Sequence, residues 1–115
     1  MQHSALTAER WARFTFAQQI LSIAAEMLRA NSALIPERRA ALCNGYERVL
    51  RLVDLSIECT DRRGRRRELL LWRDVVAQLY IASAANPEVH AAALRALLYF
   101  TPESAKQIPF VTLSR

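Results

Sequence analysis

Tyr46-Glu47-Arg48-Val49-Leu50-Arg51-Leu52-Val53-Asp54-Leu55-Ser56-Ile57 is the stretch that decides the fold class. With Leu42 upstream, the residues Tyr46, Val49, Leu50, Val53 and Ile57 recur at spacings of three and four, which stacks them on one face of an α-helix. Glu47, Arg48, Arg51, Asp54 and Glu58 occupy the rest of the circumference. Pro36 suits a first helical position, where its missing N–H costs nothing, so the pattern predicts a helix over about 36–59. Arg51 follows Glu47 by four and precedes Asp54 by three, and each such exposed pair contributes only a few tenths of a kcal/mol. Gly45 costs the helix about 1 kcal/mol against Ala, and close approach of a neighbouring helix would account for it.

The same reading extends in both directions. Thr7 can cap a short helix with Glu9 in its first turn. Thr15-Phe16-Ala17-Gln18 has the spacing of a capping box and predicts a longer helix over about 16–31, with Ile20, Ile23, Ala24, Met27 and Leu28 on its buried face. Beyond the central helix, Thr60-Asp61-Arg62-Arg63-Gly64 favours a turn. A helix over about 65–84 follows, burying Leu69, Trp72, Val76, Leu79 and Tyr80. Asn86-Pro87-Glu88 starts another over about 87–100, with Val89, Ala93, Leu94, Leu97, Leu98 and Phe100 as its apolar set. Thr101-Pro102-Glu103 repeats that chemistry for a short helix to Gln107. Pro109 is expected to end it and leave Phe110–Arg115 as a tail. Leu69-Leu70-Leu71-Trp72 is too short and too isolated to read as a strand.

The expectation is an all-α chain: a single domain over 1–115, an antiparallel four-helix bundle with short extra helices at both ends. Composition agrees. Among 115 residues, 52% are apolar and 23% charged, with 19 Ala and 16 Leu but only two Gly, which favours helix and opposes disorder. Charged residues interrupt every apolar run before it reaches the roughly 18–20 residues that span a bilayer, so no membrane association is expected. The N-terminal residues lack the apolar block and small-residue cleavage site of a secretory signal, which makes cytoplasmic residence the expectation. Cys43 and Cys59 are 16 residues apart in one helix, roughly 24 Å, well beyond disulfide reach. They read as two unpaired thiols.

Little in the sequence resembles a catalytic kit. There is no Gly-rich phosphate loop, nucleophile elbow or His-Glu-x-x-His pair. His3 and His90 with two cysteines do not have the spacing of a zinc site, so neither metal nor cofactor is expected. His90, in the first turn of a helix, reads as a surface or interface histidine. Helical-bundle ribonuclease toxins of the higher-eukaryote-and-prokaryote nucleotide-binding class carry an Arg shortly before a His; here no Arg closely precedes either histidine.

The compositional outlier is Arg62-Arg63-Gly64-Arg65-Arg66-Arg67. Its five arginines equal the whole net charge of +5, so the basicity is local. Guanidinium groups bind phosphate bidentately, and these residues are candidates for contact with nucleic acid or an acidic protein partner, although no aromatic is interleaved among them. The plainer reading is a solvated turn in a chain that uses 15 Arg and one Lys. Leu52, Leu55, Leu70, Leu71, Phe14, Phe16, Tyr99 and Phe110 widen the apolar arcs beyond one buried face per helix, which suggests a homodimer.

Two segments, Phe16–Glu26 and Tyr46–Ile57, resemble helices of small uncharacterised bacterial helical proteins. Gln18, Ser22 and Ala24 stand where that family has Glu, Asn and Gly. The resemblance implies a helical fold and no assigned activity. It draws attention to Glu26, Glu47, Arg48 and Asp54, which together with Arg73 would form a polar site between helices if they converged; a network of structural ion pairs is the alternative. No catalytic residue is assigned, and the reading that emerges is a non-enzymatic interaction or assembly module.

Overall fold

Thr7 caps a helix of four residues, α1 (Ala8–Trp11), its Oγ1 accepting from the Arg10 amide at 3.2 Å. The capping box forms as its spacing predicts: Thr15 Oγ1 accepts from the Gln18 N–H at 3.1 Å and Gln18 Oε1 from the Thr15 N–H at 2.9 Å, which starts α2 (Phe16–Ala30). Two short 3₁₀ turns, Asn31–Ala33 and Pro36–Arg38, lead into α3 (Arg39–Cys59). Pro36 therefore opens a 3₁₀ turn, and the α-helix proper begins at Arg39. α4 (Arg63–Ile81) follows. α5 (Pro87–Leu98) starts where Asn86 Oδ1 accepts from the Val89 N–H at 3.1 Å, and Thr101 caps α6 (Pro102–Ala105) in the same way.

The computed structural model describes residues 6–113, all of whose regular elements are helical, so the chain is all-α. Its end departs from the expected tail. α7 (Ile108–Leu113) includes Pro109 as its second residue, where proline is tolerated because no intrahelical N–H bond is lost. Phe110 is thus helical, while His3 and Arg115 lie outside the described residues. Among the described residues no helix is long and apolar enough to cross a membrane.

α2 packs on α3 and α5, and α4 packs on the same two helices, while α1 lies against α3 and α6 against α2. Ile20, Ile23 and Met27 of α2, Leu42, Val49 and Val53 of α3, Leu69 and Val76 of α4, and Leu97 of α5 have no exposed surface. α3 touches α1, α2 and α4, and so buries more than the expected stripe. Leu52 and Leu55, expected on an outer arc available for assembly, are buried. Leu50 and Ile57 are only half-buried. A helix surrounded on several sides spreads its apolar positions around the circumference, and single-face periodicity underestimates that arc. Val89 departs in the other direction: counted in the core stripe of α5, it is exposed.

Candidate functional site

The arginine run lies at the start of α4. Arg63 to Arg67 are helical and only Thr60–Arg62 forms the connection, so four of the five arginines stand on the opening turn and a half of a helix instead of in an irregular turn. Arg62, Arg63, Arg66 and Arg67 are exposed and Arg65 is half-buried. Arg66 donates to the Thr60 carbonyl at 2.9 Å, tying the helix to the preceding connection. The Arg65 guanidinium lies 4.0 Å from the centre of the Phe16 ring, within range of a cation–π attraction. Among the described residues no carboxylate forms an ion pair with any of the five.

Beside them is an open cleft of about 320 Å³, lined by Phe16, Arg62, Gly64, Arg65, Glu68 and Phe100. The two phenylalanines come from the first residue of α2 and the segment after α5. The linear sequence separates them from the arginines by tens of residues, and the fold supplies the aromatic surface that the run itself lacks.

The five residues considered as a polar site are held in three separate contacts. Glu26, on α2 and buried, accepts from Arg29 Nη1 at 2.8 Å and from Arg48 Nε at 3.1 Å, which fastens α2 to α3. Asp54 accepts from two Arg73 nitrogens, Nε at 2.6 Å and Nη2 at 3.3 Å. That hydrogen bond holds the Arg73 pKa above its ordinary value. Glu47 accepts from Tyr80 Oη at 2.7 Å, which raises the tyrosine pKa. The last two pairs join α3 to α4. Adjacent positions such as Glu47 and Arg48 point about 100° apart on a helix and meet different neighbours.

His90 is not at the surface. It is fully buried, with Nε2 at 2.9 Å from the Met27 carbonyl and Nδ1 at 2.7 Å from Tyr46 Oη. A carbonyl only accepts, so Nε2 carries the proton and Nδ1 accepts from the tyrosine hydroxyl. This neutral pair links α2, α3 and α5. Burial lowers the His90 pKa, opposed in part by the bond to Met27, and burial pushes Tyr46 up to about 12. Both groups stay uncharged at neutral pH.

Other buried polar contacts also went unread in the sequence. Trp11 Nε1 donates to Ser56 Oγ at 2.8 Å, and that hydroxyl donates to the Leu52 carbonyl. Trp72 Nε1 donates to the Ala93 carbonyl at 2.7 Å. Arg39 donates Nη2 to the carbonyls of Tyr80 and Ala82, closing the C-terminal end of α4 with a cation. Cys43 and Cys59 are half-buried free thiols, and the Cys59 sulfur donates to the Ala8 carbonyl at 3.3 Å. Burial raises the Cys59 pKa, which leaves it a poor nucleophile. Among the described residues no three His, Cys, Asp or Glu side chains gather in a way that could hold a metal ion.

No family model, curated protein or solved structure matches this chain.

Proposed function

We propose that the chain is a non-enzymatic helical module that assembles with a second copy of itself through the outer face of α4 and α5. The observation that supports this is a group of exposed apolar side chains on two adjoining helices. Leu71 is 59% and Tyr99 62% exposed, with Val75 and Val89 also open to solvent. The bond from Trp72 to Ala93, and the meeting of Gly64 and Arg65 with Phe100 around one cleft, fit an antiparallel run of α4 against α5. That register would bring Val75 near Val89. Short connections and the mutual packing of α2, α3, α4 and α5 support the wider antiparallel four-helix arrangement that this reading assumes.

A second copy suits this face because its flanking charges are self-complementary. Asp74 on α4 and Arg95 on α5 are exposed and of opposite sign. A twofold axis makes each surface meet its own copy with the contacts exchanged, so Asp74 of one chain can face Arg95 of the other. Cytoplasmic residence belongs to the same proposal, supported by two unpaired thiols that suit a reducing compartment. Sedimentation at micromolar concentration should give twice the 13.1 kDa of one chain. The double variant Leu71→Asp, Val75→Asp should sediment as a monomer with its helical circular dichroism intact, since both side chains are exposed. A monomeric wild-type chain would overturn the proposal.

A further inference from the structure

We propose that the cleft between the start of α4, Phe16 and Phe100 binds single-stranded nucleic acid, taking one unpaired base into the cleft with the flanking phosphates on the exposed arginines. This site is independent of the α4–α5 face. The fold brings together the two surfaces such a ligand needs. The guanidinium groups of Arg62, Arg63 and Arg67 are exposed and have no side-chain partner among the described residues, leaving their donors free for phosphate oxygens. Phe16 and Phe100 are half-buried, each packed on the core while lining the cleft. The Arg65 guanidinium already covers the Phe16 ring at 4.0 Å, so Phe100 is the ring left for a base, whose π-face can stack on it.

The form of the cleft selects the strand. Its volume of about 320 Å³ is at the lower end of the roughly 300–1,000 Å³ of small-molecule sites, on the scale of one nucleoside. A duplex keeps its bases stacked and offers only their edges. Glu68, the carboxylate on the wall, disfavours a phosphate inside, so the base goes in and the phosphates stay outside. Gly64 is part of the cleft's lining, and a Cβ built there meets nothing within 4 Å. A larger side chain at this point displaces no neighbour, adds bulk at the edge of the cleft and leaves every arginine in place.

Fluorescence anisotropy with a labelled short oligo-dA and a duplex of equal length, at low and at near-physiological salt, tests the proposal. Wild-type protein should bind the single strand about tenfold or more tightly than the duplex. The logarithm of the affinity should fall with the logarithm of salt with a slope of about −2, as expected for roughly three phosphates neutralised on a single strand. Gly64→Leu, whose helical circular dichroism should match wild type, should weaken single-strand binding about tenfold and leave the weak duplex binding unchanged. The triple variant Arg62→Ala, Arg63→Ala, Arg67→Ala should lose both. Absence of binding at low salt overturns the proposal. Equal affinity for the two probes, an unaffected Gly64→Leu variant, or equally effective competition by poly-glutamate would each overturn it too, the last pointing to an acidic protein partner.

Discussion

His90 carries a consequence that its place in the sequence conceals. A neutral imidazole between a carbonyl and a hydroxyl is satisfied; an imidazolium there would be a buried charge. Because burial lowers its pKa in the folded state, the unfolded chain binds the proton more readily. The stabilising contribution is therefore complete above the ordinary histidine pKa of about 6.5 and is lost as pH falls below it. Denaturant unfolding should show stability dropping as pH falls below about 6.5, with a slope of up to about 1.4 kcal/mol per pH unit for one proton. His90→Gln should flatten that slope, and an unchanged slope would exclude His90 as its source. Gly45 gives a second prediction at this scale. An added Cβ would meet Ala30 Cβ at 3.5 Å and Arg48 Nη2 at 3.8 Å, ordinary contact distances. A neighbouring helix does approach, but not so closely as to require glycine. Gly45→Ala should then stabilise α3 by about 1 kcal/mol and raise Tm by several degrees, measurable by thermal melting.

Among the helices, α4 begins against its own dipole. Its first turn has no acidic residue, its N-cap residue is Arg62 with no side-chain cap, and arginines occupy the end that carries partial positive charge. α1, α5 and α6 begin instead with a capping side chain and an acidic residue in the first turn. Local stability and an electropositive surface thus compete at one helix end, and the arginines retained there are the ones assigned to the single strand. Arg63→Glu should stabilise the fold by about 1 kcal/mol in chemical denaturation, by removing one unfavourable dipole contact and adding a favourable one. The same variant should weaken oligonucleotide binding. A destabilised Arg63→Glu protein would show that the dipole is not the controlling effect at this end.

For the whole molecule, a dimer predicts a stability that depends on concentration. If two copies associate through α4 and α5, Tm should rise with protein concentration, because association draws on the folded state alone. Melts across a hundredfold range would detect this. The Leu71→Asp, Val75→Asp variant should show no dependence, and a concentration-independent wild-type Tm would oppose assembly. Three polar clamps hold the interior helices regardless of assembly: Glu26 with Arg48, Asp54 with Arg73, and Glu47 with Tyr80. The two clamps at exposed carboxylates contribute little. Glu26 is buried, so Arg48→Ala should cost more than Arg73→Ala.

How much was legible in advance follows the range of the interactions. Capping hydroxyls at Thr7, Thr15 and Thr101, an Asn-Pro start at Asn86, and apolar residues at helical spacing act over a few residues, and from them the sequence by itself determined an all-α chain and the starts of α1, α2, α5 and α6. The arginine run was equally plain, because composition needs no fold to be read. Tertiary structure alone decided which faces are covered. Leu52 and Leu55 went inward because α3 lies among α1, α2 and α4, and His90 went inward because Tyr46 and Met27 satisfy it from two other helices. Phe16 and Phe100 reached the arginines only once the helices packed. Local chemistry sets where a helix begins, whereas burial and juxtaposition depend on residues far apart in the chain, whose meeting is determined by how all the helices pack together.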